Sequence, residues 1–167
     1  MSRVYVELTD QEVELVKDFT DRVIANHKSV GDYQDTIDKK HTPYSNALLG
    51  WLGEYAANKY LGTEFDFTNV HPGGDDWDIE TVNGNKLEIK TIRYTKDYQE
   101  LRMNKKQFEK SFTHAVLVMH IHGNKYEIVG WTTKKMFSDI GQNREIVTVM
   151  KCMPASGLEE PYILKML

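Results

Sequence analysis

The chain has 167 residues, 40% of them hydrophobic and 28% charged, and carries a net charge of −4. That length suits one domain with a genuine apolar core, and the negative balance argues against a protein that merely coats nucleic acid. The single cysteine, Cys152, excludes an internal disulfide, cannot by itself make a thiolate zinc site and is expected of a reducing cytoplasm; no apolar run reaches the length of a membrane span, and the acidic start MSRVYVELTDQEVEL lacks a secretion core, so no membrane partner is expected.

In chain order, Thr9 and Glu12 form a capping box that opens a helix running to about His27, with Val13, Val16, Phe19, Val23 and Ile24 on its apolar face. The polar stretch from Lys28 to Thr42 reads as a loop. A second helix is expected from about Ala47 to Tyr60, capped by Ser45 or Asn46 and stopped by Gly62. Along it Gly50, Gly53 and Ala57 set small residues around one acid, Glu54, so something can approach closely there. Glu64–Phe67 is a short strand candidate, and His71-Pro72-Gly73-Gly74 is a loop.

The segment GGDDWDIETVNGNKLEIKT, residues 73–91, is the centre of the chain. Asn83-Gly84 between two alternating runs predicts a hairpin of Trp77–Val82 and Lys86–Ile92. Glu88 and Lys90, two apart on one strand, share a face. Further on, Tyr94–Leu101 is polar and irregular, and Asn104–Phe112 reads as a short helix. His114–His122 and Lys125–Thr132 read as strands joined at Gly123-Asn124. A helix over Thr133–Ile140, a strand over Glu145–Met153 and an apolar tail over Pro161–Leu167 complete the chain. The absence of repeats and linkers gives one domain over 1–167, with an N-terminal helix and loop extension (1–45), a core (46–140) and a C-terminal strand and tail (141–167). The expected class is α/β or α+β: a mixed central sheet flanked by helices.

The hairpin has a chemical use. Phosphodiester hydrolysis needs a polarised water and a place for the charge that builds on the leaving oxygen; Mg2+ held by one or two carboxylates supplies both. Asp78, Glu88 and the Ile89 carbonyl can hold such an ion, and Lys90 can orient the water and stabilise the phosphate charge. Asp76 shares the face of Asp78 by alternation and is a second ligand or substrate contact. Residues 86–110 hold eight Lys and Arg against four acids, so Arg93, Lys96, Lys105 and Lys106 are expected to contact a phosphate backbone. His114, His120 and His122 invite a metal reading, but no acid or cysteine partner is evident and alternating polar residues are normal on a half-exposed strand. Trp51 reads as core.

Asp78 at the start of a strand, followed across a hairpin by Glu88-Ile89-Lys90, resembles the PD-(D/E)XK nuclease superfamily with its restriction-endonuclease-like fold. LLGWLGEYAANKYLG resembles the helix on which members carry a further glutamate, in the place of Glu54, and the lysine-rich segment with HAVLVMHIH and YEIVGWTTKKMF is similar to the back half of such domains. The likeness covers most of residues 46–140. Trp77 stands where the motif name has proline. The resemblance implies an Mg2+-dependent nuclease, with Mn2+ as a substitute, acting on DNA and more readily as an endonuclease than an exonuclease. It also implies that Glu54 joins Asp78, Glu88 and Ile89 at the metal, that Gln107 on the following helix faces the site, and that a homodimer is needed to cut both strands. The alternative is a non-catalytic nucleic-acid-binding or regulatory protein on the same fold.

Overall fold

A computed structural model describes residues 3–29, 42–68, 76–95, 99–145 and 149–166. A short strand, β1 (Val4–Glu7), precedes helix α1 (Asp10–Ser29). The capping box forms as expected: the Thr9 amide donates to Glu12 Oε2 at 2.7 Å and the Glu12 amide to Thr9 Oγ1 at 3.2 Å. Helix α2 spans Pro43–Leu61, starting earlier than the sequence suggests because Thr42 is the cap, its side chain accepting from the Ser45 amide, with Pro43 in the first turn. Gly62, at φ 73°, ends it as expected.

The hairpin follows, but its first strand, expected over Trp77–Val82, is only β2 (Ile79–Glu80), because the Asp78 side chain takes over the Ile89 amide; β3 runs Lys86–Arg93, with Gly84 at φ 75° in the turn. Then come β4 (Glu100–Asn104), a single helical turn α3 (Lys105–Phe108), β5 (His114–His122), β6 (Lys125–Thr133), α4 (Lys134–Ile140), β7 (Gln142–Glu145) and β8 (Val149–Pro154), with a 3-10 turn over Pro161–Met166. The first sheet has the order β1-β6-β5-β3-β2 and is mixed: β3 and β5 run parallel, the other neighbours antiparallel. A second, antiparallel sheet has the order β4-β8-β7.

Alternation along the first sheet feeds two cores. Leu87, Ile89, Val116, Val118, Tyr126 and Ile128 pack under α1 and α2 with Val16, Leu52 and Ala56. On the other face Ala115, Leu117 and Ile92 pack with Leu101, Met103, Phe112, Phe137 and Met153 from the second sheet and its helices. Apolar burial on both faces explains why HAVLVM of β5 is continuous rather than alternating. The mixed sheet with flanking helices is the expected class. Other expectations are corrected. Glu64–Phe67 is not a strand; Phe65 and Phe67 instead pack their rings against Trp51, Tyr55 and Phe19. The helix expected over Asn104–Phe112 is one turn, because Phe108 and Phe112 turn into the Phe137 cluster. The stretch from Tyr94 to Leu101 is not irregular throughout, since β4 begins at Glu100, and in place of one strand over Glu145–Met153 the chain has β7 ending at Glu145 and β8 beginning at Val149, residues 146–148 lying outside the described ones; β1 is a further strand that the sequence does not announce.

Two features bring α2 onto β3. A Cβ on Gly53 would lie 2.0 Å from Thr91 Oγ1, so only glycine permits this close approach of helix to strand. Arg93 then braces the helix start, donating from Nη1 to Asn46 Oδ1 at 2.9 Å and from Nη2 to the Ser45 carbonyl at 3.2 Å. Among the described residues no helix is long and apolar enough to cross a membrane.

Candidate active site

Strand β2 pairs with β3 only through Ile79–Leu87 and Glu80–Lys86, whereas β3 continues to Arg93. Asp78 stands where that pairing stops. Its amide donates to the Leu87 carbonyl at 2.8 Å, and its Oδ2 accepts from the Ile89 amide at 2.6 Å. The side chain thus takes the place of the next rung of the ladder and fixes its carboxylate at the edge of β3.

A cavity of about 460 Å3 opens along this edge. Asp78, Glu88, Ile89 and Lys90 form its floor. Asn46, Ala47, Gly50, Trp51 and Glu54 of α2 form one wall, with Val23, Ile24 and His27 of α1 beyond them. Lys106, Gln107 and Lys110 close the other side. Gly50 is exposed and a Cβ there would meet nothing within 4 Å, which leaves the wall open.

Glu88 is the buried centre, with its side chain 1% exposed. An unpaired carboxylate at that depth would be very costly, and two ammonium groups meet it: Lys90 Nζ at 2.5 Å from Oε1, and Lys110 Nζ at 3.3 Å from Oε2 and 3.5 Å from Oε1. Asp78 sits less comfortably. Burial pushes its carboxyl up to about 6, the neighbouring Glu88 charge adds to the rise, and Lys90, the Ile89 amide and Lys110 offset only part of it.

The structure therefore brings together Asp78, Glu88, Ile89 and Lys90 as the hairpin predicted, and sets Glu54, Lys106 and Gln107 on the walls of the same cavity. Glu54 approaches from α2, which packs on the face of β3 that carries Leu87, Ile89 and Thr91, whereas Glu88 and Lys90 point to the other face. The acids accordingly flank the strand edge from two sides, and among the described residues no three His, Cys, Asp or Glu side chains gather closely enough to hold a metal ion. Gln107 also completes the α3 cap, its Oε1 accepting from the Asn104 amide at 3.0 Å.

Other expectations meet a different placement. Arg93 does not line the cavity; its guanidinium is engaged with α2 as described. Lys105 stands outside the cavity, 89% exposed and 3.8 Å from Glu109. Asp76 is exposed and accepts from Ser111 Oγ at 3.2 Å; β2 begins only at Ile79, so alternation does not carry back to it. Lys96 lies outside the described residues. His114 pairs through Nδ1 with Thr113 Oγ1 at 2.8 Å, and His120 through Nε2 with the Gly123 carbonyl at 2.8 Å, in keeping with ordinary strand positions. Trp51 packs edge-on against Phe19 at 5.0 Å between ring centres and shows part of its surface to the cavity.

Lys110 and His27 also line the cavity, and no local signal in the sequence brings them there. Lys110 belongs to the basic run, yet nothing in its local spacing connects it to Glu88, 22 residues earlier. His27 closes the end of α1, and no periodic signal aims it at the hairpin. No family model matches the chain, and no curated protein matches it significantly.

Proposed function

We propose that this protein is an Mg2+-dependent nuclease on a restriction-endonuclease-like core, hydrolysing phosphodiester bonds in DNA and working as an endonuclease more readily than as an exonuclease. The observation that carries this reading is the convergence of Asp78, Glu88 and Lys90 on one cavity whose rim adds Lys106 and Lys110. An anionic polymer is the substrate such a rim favours.

The donor set fits a hard divalent cation. Mg2+ is commonly held by one or two carboxylates with water and substrate oxygens in its other positions. Asp78 is pushed up to about 6 by burial and by Glu88, and Lys90, the Ile89 amide and Lys110 offset only part of that rise, so a cation held beside Asp78 would stabilise its charged form. Asp78, Glu88 and the Ile89 carbonyl would hold the ion, and Glu54 would reach it through water or substrate from the α2 wall. The ion, when bound, supplies Lewis acidity at the phosphate and a more acidic water. The chain's own residues do the rest. Glu88, fixed by its burial, sets the position of Lys90. The Lys90 ammonium orients the attacking water and stabilises negative charge on the phosphate oxygens. Lys106 holds the strand at the rim. One site cuts one strand, so cleavage of both strands calls for a homodimer. Cys152, the single cysteine, is buried and in no disulfide, in keeping with the reducing cytoplasm this reading expects.

The test is cleavage of labelled linear, branched and circular DNA with Mg2+ or Mn2+, using wild type and Lys90→Ala. The expected result is cleavage by wild type and a loss of about 100-fold or more in the variant, the usual scale for removing one electrostatic stabiliser. Cleavage of none of these substrates by wild type would overturn the enzyme reading and favour a non-catalytic binding role.

A further inference from the structure

The charge arrangement around Glu88 goes beyond the Asp, Glu and Lys of the hairpin. Glu88 has two cationic partners, Lys90 and Lys110. The two lysines differ in how they are held. Lys90 shares a strand and a face with Glu88 and contacts it at 2.5 Å. Lys110 comes from beyond α3 and reaches both Glu88 oxygens at the longer distances of 3.3 and 3.5 Å. Its backbone is firmly placed: its carbonyl accepts from Lys134 Nζ, and that ammonium lies over the rings of Phe108 and Phe112 at 5.3 and 4.6 Å. The anchored backbone and the long, partly exposed side chain leave the ammonium as the part that can move.

We infer that Lys110 is a displaceable counter-ion of Glu88, occupying the carboxylate in the resting site and competing with an incoming divalent cation for it. This rests on the proposed metal-dependent reading of the same site. The reasoning is electrostatic. Glu88 is already contacted by the ammonium groups of Lys90 and Lys110, so a divalent cation that uses this carboxylate must displace or outcompete one of them. Lys90 makes the closer contact with Glu88, 2.5 Å against 3.3 Å for Lys110, so Lys110 is the group that withdraws. Lys110 is accordingly a positioning residue that sets metal affinity by holding Glu88, and it sets that affinity low.

The test measures Mn2+ binding to the full chain by electron paramagnetic resonance, with no nucleic acid present, in wild type, Lys110→Met, Lys110→Arg and Glu88→Gln. Thermal unfolding of each confirms that it is folded. The expected result is Mn2+ binding about tenfold or more tighter in Lys110→Met, since a unit charge has been removed from beside a divalent ion. Lys110→Arg should restore wild-type affinity, and Glu88→Gln should abolish binding. Unchanged or weaker binding in Lys110→Met, with binding still lost in Glu88→Gln, overturns the role given to Lys110 alone. Wild-type binding that is absent or insensitive to Glu88→Gln overturns the metal-dependent reading, and this inference with it. A Lys110→Met protein that does not fold shifts the test to Lys110→Gln, which keeps a hydrogen-bond donor toward Glu88 without the charge and is expected to bind Mn2+ more tightly in the same way.

Discussion

Asp78→Asn should make the protein more stable while removing its proposed chemistry. The Asp78 carboxyl is raised from an ordinary 3.8 to about 6, first by burial and then by Glu88. An acid whose folded value lies above its unfolded value contributes stability that is fully present below pH 3.8 and lost as pH rises through about 6. Above pH 6 the folded chain therefore carries the full cost of an ionised Asp78. A gap of about two units corresponds to about 3 kcal/mol. Asparagine keeps the geometry, since its Oδ1 can still accept from the Ile89 amide that Asp78 Oδ2 accepts at 2.6 Å, and it removes the charge. Urea unfolding followed by tryptophan fluorescence, in a chelator, should show Asp78→Asn to be more stable by about 2–3 kcal/mol at pH 8, or about 5–10 °C in Tm for a chain of this size. At pH 4 the gain should nearly vanish, because wild-type Asp78 is then protonated in the folded state. A variant equally or less stable at pH 8, or a gain that is the same at both pH values, would refute the electrostatic account of Asp78.

Two alanines on one helix should act in opposite directions. Gly50→Ala, exposed and with nothing within 4 Å of its Cβ, should stabilise by about 0.5–1 kcal/mol through helix propensity, whereas Gly53→Ala, 2.0 Å from Thr91 Oγ1, should cost about 1–3 kcal/mol through overpacking; Tm measurements on both decide. Under the nuclease reading Lys106, which lines the cavity, and Lys105, which does not and lies 3.8 Å from Glu109, should part company in DNA binding. Lys106→Ala should lower affinity and reduce the salt slope by about 1, with Lys105→Ala closer to wild type; equal effects from both would remove the argument from placement.

The parts of the molecule written in local spacing were legible in the sequence. The Thr9–Glu12 capping box, the Thr133 cap of α4, the Gly62 stop and the span His114–His122 of β5 are each decided by residues within a turn of one another. The turn of the hairpin and its return strand are of the same kind, and with them the meeting of Asp78, Glu88 and Lys90, but the shortening of Trp77–Val82 to Ile79–Glu80 is not. What depends on distant partners was not legible. β1 is a strand because Val4–Glu7 finds Lys125–Ile128 of β6, and the second sheet exists because β4 finds β8, some 50 residues on. Arg93 could be read as a cation but not as one engaged by the start of α2. Lys110 could be counted in a basic run, but its reach to Glu88 depends on α3 ending after one turn, which the Phe108, Phe112 and Phe137 cluster decides.

The length of β2 ties these observations together. Were β2 to continue alongside β3 past Ile79, a backbone carbonyl would meet the Ile89 amide, and the edge of β3 where Asp78, Glu88 and Lys90 face the cavity would be covered. Because pairing stops after two rungs, a side chain, Asp78, must take that amide, and the carboxylate that does so is drawn into a partly buried position beside Glu88. The ionisation cost at Asp78 and the opening of the cavity thus have one cause. Glu88 could be buried at that edge only with cations beside it. Lys90 comes with the strand itself, and Lys110 is brought by a separate element. One lysine would complete a structural ion pair, and the second, longer contact from Lys110, with the only partly offset charge of Asp78, is what the proposed cation-binding reading rests on.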